Sequence, residues 1–158
     1  MTQVQPDIAY IPCTPEIVSA MLILAEVNSH DILYDLGCGD GRILTTAAQQ
    51  FCTQGVGIDI DPQRILEANL KAKETDVTNL VKFSQGNLFE SDFADATVVF
   101  LYLLPHLNLR LRPRLLNQLK AGTRIVSRDF DMGDWLPEKS VVVEEGEEEA
   151  TLHYWEIP

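Results

Sequence analysis

The stretch Asp35-Leu36-Gly37-Cys38-Gly39-Asp40-Gly41-Arg42 follows the apolar run Ile32-Leu33-Tyr34 and precedes Ile43, Leu44, Ala47, Ala48 and Phe51, which recur at helical spacing. A strand, a glycine turn and a helix in that order open a parallel α/β unit. Glycines at alternate positions let the backbone turn tightly and come close to a ligand. The helix that follows begins with N–H groups that have no intrahelical partner. The pattern is GxGxG, not the GxGxxG that seats a pyrophosphate on a helix N-terminus; a close loop of this kind suits a nucleoside with an amino-acid tail. Asp35, at the strand end, is placed to hold an ammonium group, directly or through water. The competing reading is an ordinary glycine turn between strand and helix.

Working outward, strands and helices alternate. Thr14 can cap a helix opened by Pro15, and Ile17, Met21, Leu24 and Ala25 share its inner face, so an N-terminal helix is expected over 15–28. Strands are expected over 31–36, 55–60, 81–84, 97–103 and 123–130. The run from Thr97 to Leu103 is continuously apolar, as in a strand buried on both faces. Asp61 and Pro62 begin a helix with Ile65, Ala68 and Ala72 inward. Leu111, Leu115, Leu116 and Leu119 mark another, with Pro113 near its start and Gly122 past its end. Ser140 to Glu145 and Thr151 to Ile157 pair as a hairpin about Gly146, too close for a crossover helix and therefore antiparallel. The whole is one three-layer α/β domain spanning residues 1–158, a doubly wound, mostly parallel sheet with helices on both faces. Ligands in such sheets bind beyond the carboxyl ends of the strands.

Composition narrows the function. The chain carries 12 Lys and Arg against 24 Asp and Glu, a net charge of −12. Nucleic-acid affinity comes largely from basic residues on phosphate, so a nucleic-acid partner is not expected, whereas a cationic acceptor is favoured electrostatically. No apolar run reaches the ~20 residues of a membrane span. Met1 to Pro12 lack both blocks of a signal peptide, and Cys13, Cys38 and Cys52 show neither disulfide nor metal spacing. A cytoplasmic location and no metal are the expectations.

Two more strand ends carry candidate ligands. Asp59 lies 22 residues beyond Gly37 in Gly57-Ile58-Asp59-Ile60. Its carboxylate can accept from both hydroxyls of a ribose, and since Asp61 already supplies the helix cap, Asp59 has no evident structural task. Ile60 can pack on an adenine face. In Gln85-Gly86-Asn87-Leu88-Phe89, Asn87 and the neighbouring Leu88 can meet the adenine edge; a turn Asn is the alternative.

Taken together, DLGCGDGR, GIDID and QGNLF resemble, in order and spacing, motifs I to III of the class I (seven-stranded) S-adenosylmethionine-dependent methyltransferases. The resemblance implies a Rossmann-like sheet of order 3-2-1-4-5-7-6 with strand 7 antiparallel, and S-adenosylmethionine as cofactor. It also implies Gly37 and Gly39 along the methionine moiety, Asp59 on the ribose and Asn87 at adenine, where many members carry Asp. Tyr10-Ile11-Pro12-Cys13-Thr14-Pro15 resembles the entry segment of small non-SET protein-lysine methyltransferases, in which a Tyr and a Ser or Thr close over the methionine end; Tyr10 and Thr14 are the matching positions, with Cys13 competing for the second.

The acceptor side is less defined. The Asn-Pro-Pro-Tyr-like run of amide and adenine methyltransferases is absent from Phe100-Leu101-Tyr102-Leu103-Leu104-Pro105, which argues against those acceptors. Tyr102 either guides an amine or packs in the core. Asp129, Asp131, Asp134 and Trp135 either bind a cationic acceptor, with Asp129 or Asp131 orienting it, or form a polar loop with Trp135 plugging the sheet edge. The acceptor stays open; the resemblance puts a protein lysine, in a basic protein, first and a small molecule next. A non-catalytic S-adenosylmethionine-binding subunit is the alternative, since little chain is spare for an acceptor-binding cap, and GxGxG disfavours a nicotinamide oxidoreductase.

Overall fold

The structure is a computed structural model that describes residues 13–146 and 148–158. Its elements are α1 Pro15–Leu24, β1 Ile32–Leu36, α2 Arg42–Phe51, β2 Gln54–Asp59, α3 Pro62–Glu74, β3 Val81–Gln85, a 3-10 turn Leu88–Glu90, β4 Val98–Leu101, α4 Pro105–Gln118, β5 Arg124–Arg128, β6 Lys139–Glu145 and β7 Glu148–Glu156. The seven strands form one sheet of order β3-β2-β1-β4-β5-β7-β6. β1 to β5 pair in parallel, and β7 runs antiparallel to both neighbours. The expected architecture is therefore present, including the hairpin about Gly146, whose φ of 60° suits the turn.

Two apolar clusters, one per face, hold the layers together. On one face α1, α2 and α3 bring Ile17, Met21, Leu22, Leu44, Ala47 and Ala72 against Leu33, Val98, Phe100 and Val126. On the other, Leu111 and Leu115 of α4 pack on Val99, Leu101, Ile125 and Trp155. β4 feeds the clusters alternately and is wholly buried, which is why its sequence shows no polar alternation.

Strand ends depart from expectation by up to about three residues, and two helix boundaries differ in ways that matter more. α1 ends at Leu24, not residue 28. The Glu26 N–H bonds Ile23 O and the Val27 N–H bonds Leu22 O, with Glu26 at φ 53°: a left-handed stop that uses Glu where Gly is usual. Val27 is buried by that turn, not by the helix. α4 begins at Pro105, so Pro113 sits inside it and not near its start. The carbonyl that Pro113 cannot bond belongs to Leu109, on the exposed side of the helix where water can serve it. The strand before it correspondingly stops at Leu101, and Tyr102 to Leu104 form the turn into α4.

Candidate active site

Gly37, Gly39 and Gly41 all have positive φ (88°, 54° and 78°), so the loop needs what its sequence provides. The Gly37 and Cys38 N–H groups both donate to Ile58 O, at 2.7 and 3.0 Å, which pins the loop to the end of β2. The glycines differ in purpose. A Cβ on Gly41 would lie 2.6 Å from Phe83 Cζ and 2.9 Å from Ala68 Cβ, so Gly41 lets α2 approach α3 and β3. Gly37 meets only Leu103 Cδ2, at 3.5 Å, and leaves its side of the loop open to a ligand.

Asp59 does have a structural task, contrary to expectation. Its Oδ2 accepts from Gly39 N and its Oδ1 from Asp61 N, both at 2.9 Å. The cause is register: Leu36 pairs with Ile58, so the residue after Ile58 lies level with the glycine loop. Each carboxylate oxygen still has a lone pair for a hydroxyl.

Asp35 is buried, and among the described residues no group donates a hydrogen bond to its carboxylate. Burial, then the charges of Asp59 and Asp40, hold its pKa well above the usual carboxylate range. Asp40 is itself paired with Arg42, 2.5 Å away. A buried acid without a donor is a site for a cation. With the open loop on one side and Asp59 on the other, the edge fits a ligand bearing an ammonium group and a ribose. The adjacent Cys38 thiol is buried and its pKa is raised by desolvation, so it is not a nucleophile.

Asn87 takes the turn reading. Its Oδ1 accepts from Phe89 N at 2.9 Å and caps the 3-10 turn, leaving its amide nitrogen as the group able to face a base. Leu88 packs, half-buried, on the α4-side cluster, and half-buried Ile60 holds Gln85 Nε2 through its carbonyl at 3.3 Å. Thr14 caps α1 as expected, its Oγ1 accepting from Ile17 N at 3.5 Å. Tyr10 lies outside the described residues.

At the ends of β4 and β5, Tyr102 stacks on Phe130 (centroids 6.1 Å apart, 14° between planes) and lies under the Arg128 guanidinium at 4.6 Å. Asp129 sits at φ 66° and closes β5 onto β7: its N–H donates to Thr151 O at 2.7 Å and its Oδ1 accepts from Thr151 N at 3.0 Å. The segment beyond is committed to its own structure. Asp131 accepts from Gly133 N, Asp134 pairs with Arg112, and Trp135 packs on Trp155 with its carbonyl taking the Trp155 indole N–H at 2.8 Å. The contacts expected of a polar loop with Trp135 packed on the sheet are present, and Asp131 remains exposed.

Sequence reasoning missed Asn108, which is fully buried. Its amide nitrogen reaches Ser127 Oγ, Phe130 O and Asp131 O at 3.1–3.3 Å and ties α4 to the loop after β5. A polar residue between Leu107 and Leu111 on an apolar helix face was the available signal. It also missed Arg128, buried although charged, which only a known neighbour set makes visible.

The fold, the glycine loop and the two acids at adjacent strand ends define an S-adenosylmethionine-dependent methyltransferase. Within that class the chain belongs to the family described as the ANTKMT methyltransferase domain, which residues 35–139 match. It is 41% identical over 153 residues to a protein-lysine N-methyltransferase of Saccharolobus islandicus, covering 96% of this chain and 95% of that one. It is 30% identical over 105 residues to the adenine nucleotide translocase lysine N-methyltransferase of Mus musculus, over 66% of this chain but 46% of that protein. A crystal structure of a Salinibacter ruber protein described as an RNA methyltransferase, in complex with S-adenosyl-L-homocysteine, superposes with a TM-score of 0.89 at 50% identity, covering 94% of each chain. S-adenosylmethionine is thus the cofactor of this enzyme. No helix among the described residues is long and apolar enough to cross a membrane.

Proposed function

We propose that the enzyme methylates the ε-amine of a lysine in a protein acceptor. The observation that carries this is the charge of the carboxyl edge. Asp35, Asp40, Asp59, Asp129 and Asp131 all follow or end strands there, in a chain of net charge −12. The arginines of α4 are spent within the fold: Arg110 lies 4.0 Å over the Phe89 ring, Arg112 pairs with Asp134 and Arg114 donates to Ser91 O at 2.9 Å. An edge with this balance attracts a cationic side chain and repels phosphate. The Saccharolobus relative's lysine specificity supports the same reading. The Salinibacter protein's RNA description is the second reading, and the charge weighs against it.

When bound, the cofactor supplies a methyl group already activated by its sulfonium. The protein's part is to bind, orient and exclude water. In this reading Asp35 holds the ammonium of the cofactor's amino-acid tail, Gly37 and Gly39 let that tail lie against the backbone, and Asp59 accepts from the ribose hydroxyls. Ile60, Asn87 and Leu88 border the adenine, and Thr14 and Tyr10 serve the methionine end. Tyr102 and Asp129 flank the approach of the acceptor, Asp129 through Oδ2, the oxygen 3.5 Å from Arg128 Nε. Neither is assigned as a base, because a nearby carboxylate raises an amine's pKa and a neutral amine is what must attack.

The test is transfer of labelled methyl from S-adenosylmethionine into host lysate, split between ribonuclease and protease digestion. Methyl-lysine in the protein fraction is expected. Label confined to RNA or to small metabolites would replace the lysine assignment, and no transfer to any fraction would leave a protein that binds the cofactor without using it.

A further inference from the structure

We infer that Arg128 anchors the carboxylate of the cofactor's amino-acid tail, an assignment that rests on the cofactor site described above. Arg128 is 6% exposed, yet its donors are nearly unspent. Nη1 reaches only the Cys13 thiol sulfur, at 3.4 Å, a weak acceptor. Nε is buried with no hydrogen-bond partner; Asp129 Oδ2 is 3.5 Å away without forming the bond. The face of the guanidinium rests on Tyr102. A buried guanidinium left this way is costly unless an anion completes it, and its planar fork suits a carboxylate.

Position selects which carboxylate. Arg128 ends β5, but its head lies over Tyr102, the first residue after β4, and β4 is the neighbour of β1. It meets Cys13, whose carbonyl is held at 3.0 Å by Arg42 from the start of α2, next to the glycine loop. Cys13 thus joins the guanidinium to the start of α2, where the glycine loop that begins beside Asp35 ends. In an α-amino acid the ammonium and carboxylate are one carbon apart, so a ligand whose ammonium meets Asp35 places its carboxylate within reach of a cation beside it. Arg42 is already engaged by Asp40 and Cys13. Among the described residues that meet Cys13, Arg128 is the cation with open donors.

The test compares S-adenosylhomocysteine with 5′-methylthioadenosine, which keeps the base, sugar and thioether but lacks the tail. Binding of each to wild type, R128Q and R128K is measured by calorimetry, with the ligand-free melting temperature alongside. R128Q should weaken S-adenosylhomocysteine about 10- to 100-fold, the range of a charged hydrogen-bond pair, and leave methylthioadenosine unchanged within about twofold. R128K, which keeps the charge but loses the fork, should fall between. The ligand-free melt should not drop, since an incompletely paired buried cation is removed; a structural role would lower it. Equal loss for both ligands, or unchanged S-adenosylhomocysteine binding, overturns the assignment, as does an effect confined to acceptor KM, which would give the anion to the acceptor. Should R128Q not fold, the same ratio read on R128K decides. Wild type that binds neither ligand would sink the cofactor site itself, a distinct outcome.

Discussion

Replacing Gly57 by alanine probes whether the motif loop is held in shape by its neighbours. A Cβ there would lie 2.7 Å from Phe83 Cδ1, 2.8 Å from Cys38 Cβ and 2.9 Å from Cys38 Sγ. Carbon contacts relax to about 3.5–4.0 Å, so the new methyl must push on both sides by the better part of an ångström. Phe83, half-buried on β3, can swing. Cys38 cannot move without the loop, because its N–H is bonded to Ile58 O. Overpacking of this kind costs about 1–3 kcal/mol, and relief of strand glycine entropy returns about 0.5–1 kcal/mol. The net, about 1–2 kcal/mol, lowers the melting temperature by about 2–8 °C in a chain of this size. The binding loss should exceed the stability loss. Displacing Cys38 drags Gly39 off Asp59 and spoils a charged hydrogen bond, of a kind that contributes about 1.5–3 kcal/mol, hence about tenfold or more in S-adenosylhomocysteine affinity. Gly55→Ala is the control: its Cβ would meet Leu44 Cδ2 at 2.8 Å, the free end of a side chain away from the site. Differential scanning fluorimetry and calorimetry on both variants should show destabilisation in each and lost affinity in Gly57→Ala alone. A Gly57→Ala protein that binds S-adenosylhomocysteine like wild type would refute the reasoning.

Two further perturbations follow from buried charge. Asp35→Asn removes a carboxylate whose folded pKa is raised. As pH climbs from the ordinary value of 3.8 the unfolded chain ionises first, so wild-type stability falls across the window up to the raised folded pKa. The variant should melt with wild type below that window and above it on the alkaline side, while its S-adenosylhomocysteine-induced shift stays small and flat with pH where the wild type's grows; a variant that melts lower, or binds as well, contradicts the role. Asp31→Ala breaks a buried pair with Arg124 and also removes the acceptor of Thr97 Oγ1 (2.8 Å) and Asn28 N (2.9 Å). Arg124 keeps the carbonyls of Ala25 and Glu26, so the loss should sit near the low end of the range for such pairs, about 3 kcal/mol. That is about 6–12 °C by thermal melt, with S-adenosylhomocysteine affinity unchanged; a shift below about 2 °C would show the pair to be idle.

What was legible in the sequence was whatever a single element reports by itself. The glycine loop announces positive φ because no other residue fills it cheaply, and the apolar run through Val99 announces a strand covered on both faces. The short span between the last two strands forbids a crossover, so β7 had to turn back. The misreadings have a common cause, which is that chemistry at those positions is set by residues remote in sequence. The helix expected to reach residue 28 stops at Leu24 because Glu26 turns left-handed and Val27 is drawn into the core by that turn. Pro113 reads as a helix start until one sees that Leu109, the carbonyl it strands, faces water. Asp59 looked idle because its partner, Gly39, is 20 residues away and comes level only through strand register.

The same distinction separates the two halves of the site. The cofactor half is built by backbone geometry at adjacent strand ends, so three short motifs are enough to expose it. The rest of the proposed site is built by side chains that meet across β4, β5, α4 and the α1 entry: Tyr102 on Phe130, Arg128 on both Tyr102 and Cys13, Asn108 on the loop beyond Ser127. None of those pairs has a spacing to read. Their chemistry becomes visible only when burial is known, because a polar group is unremarkable in a sequence and conspicuous once water is denied to it. Arg128 and Asp35 are the clearest instances: both are buried, the Arg128 Nε has no hydrogen-bond partner, and among the described residues none donates to the Asp35 carboxylate. A fold that left both so in the absence of ligand would carry two desolvation penalties for nothing. A zwitterionic tail laid between them relieves both at once, and the energy that the free protein forgoes becomes affinity for the methyl donor.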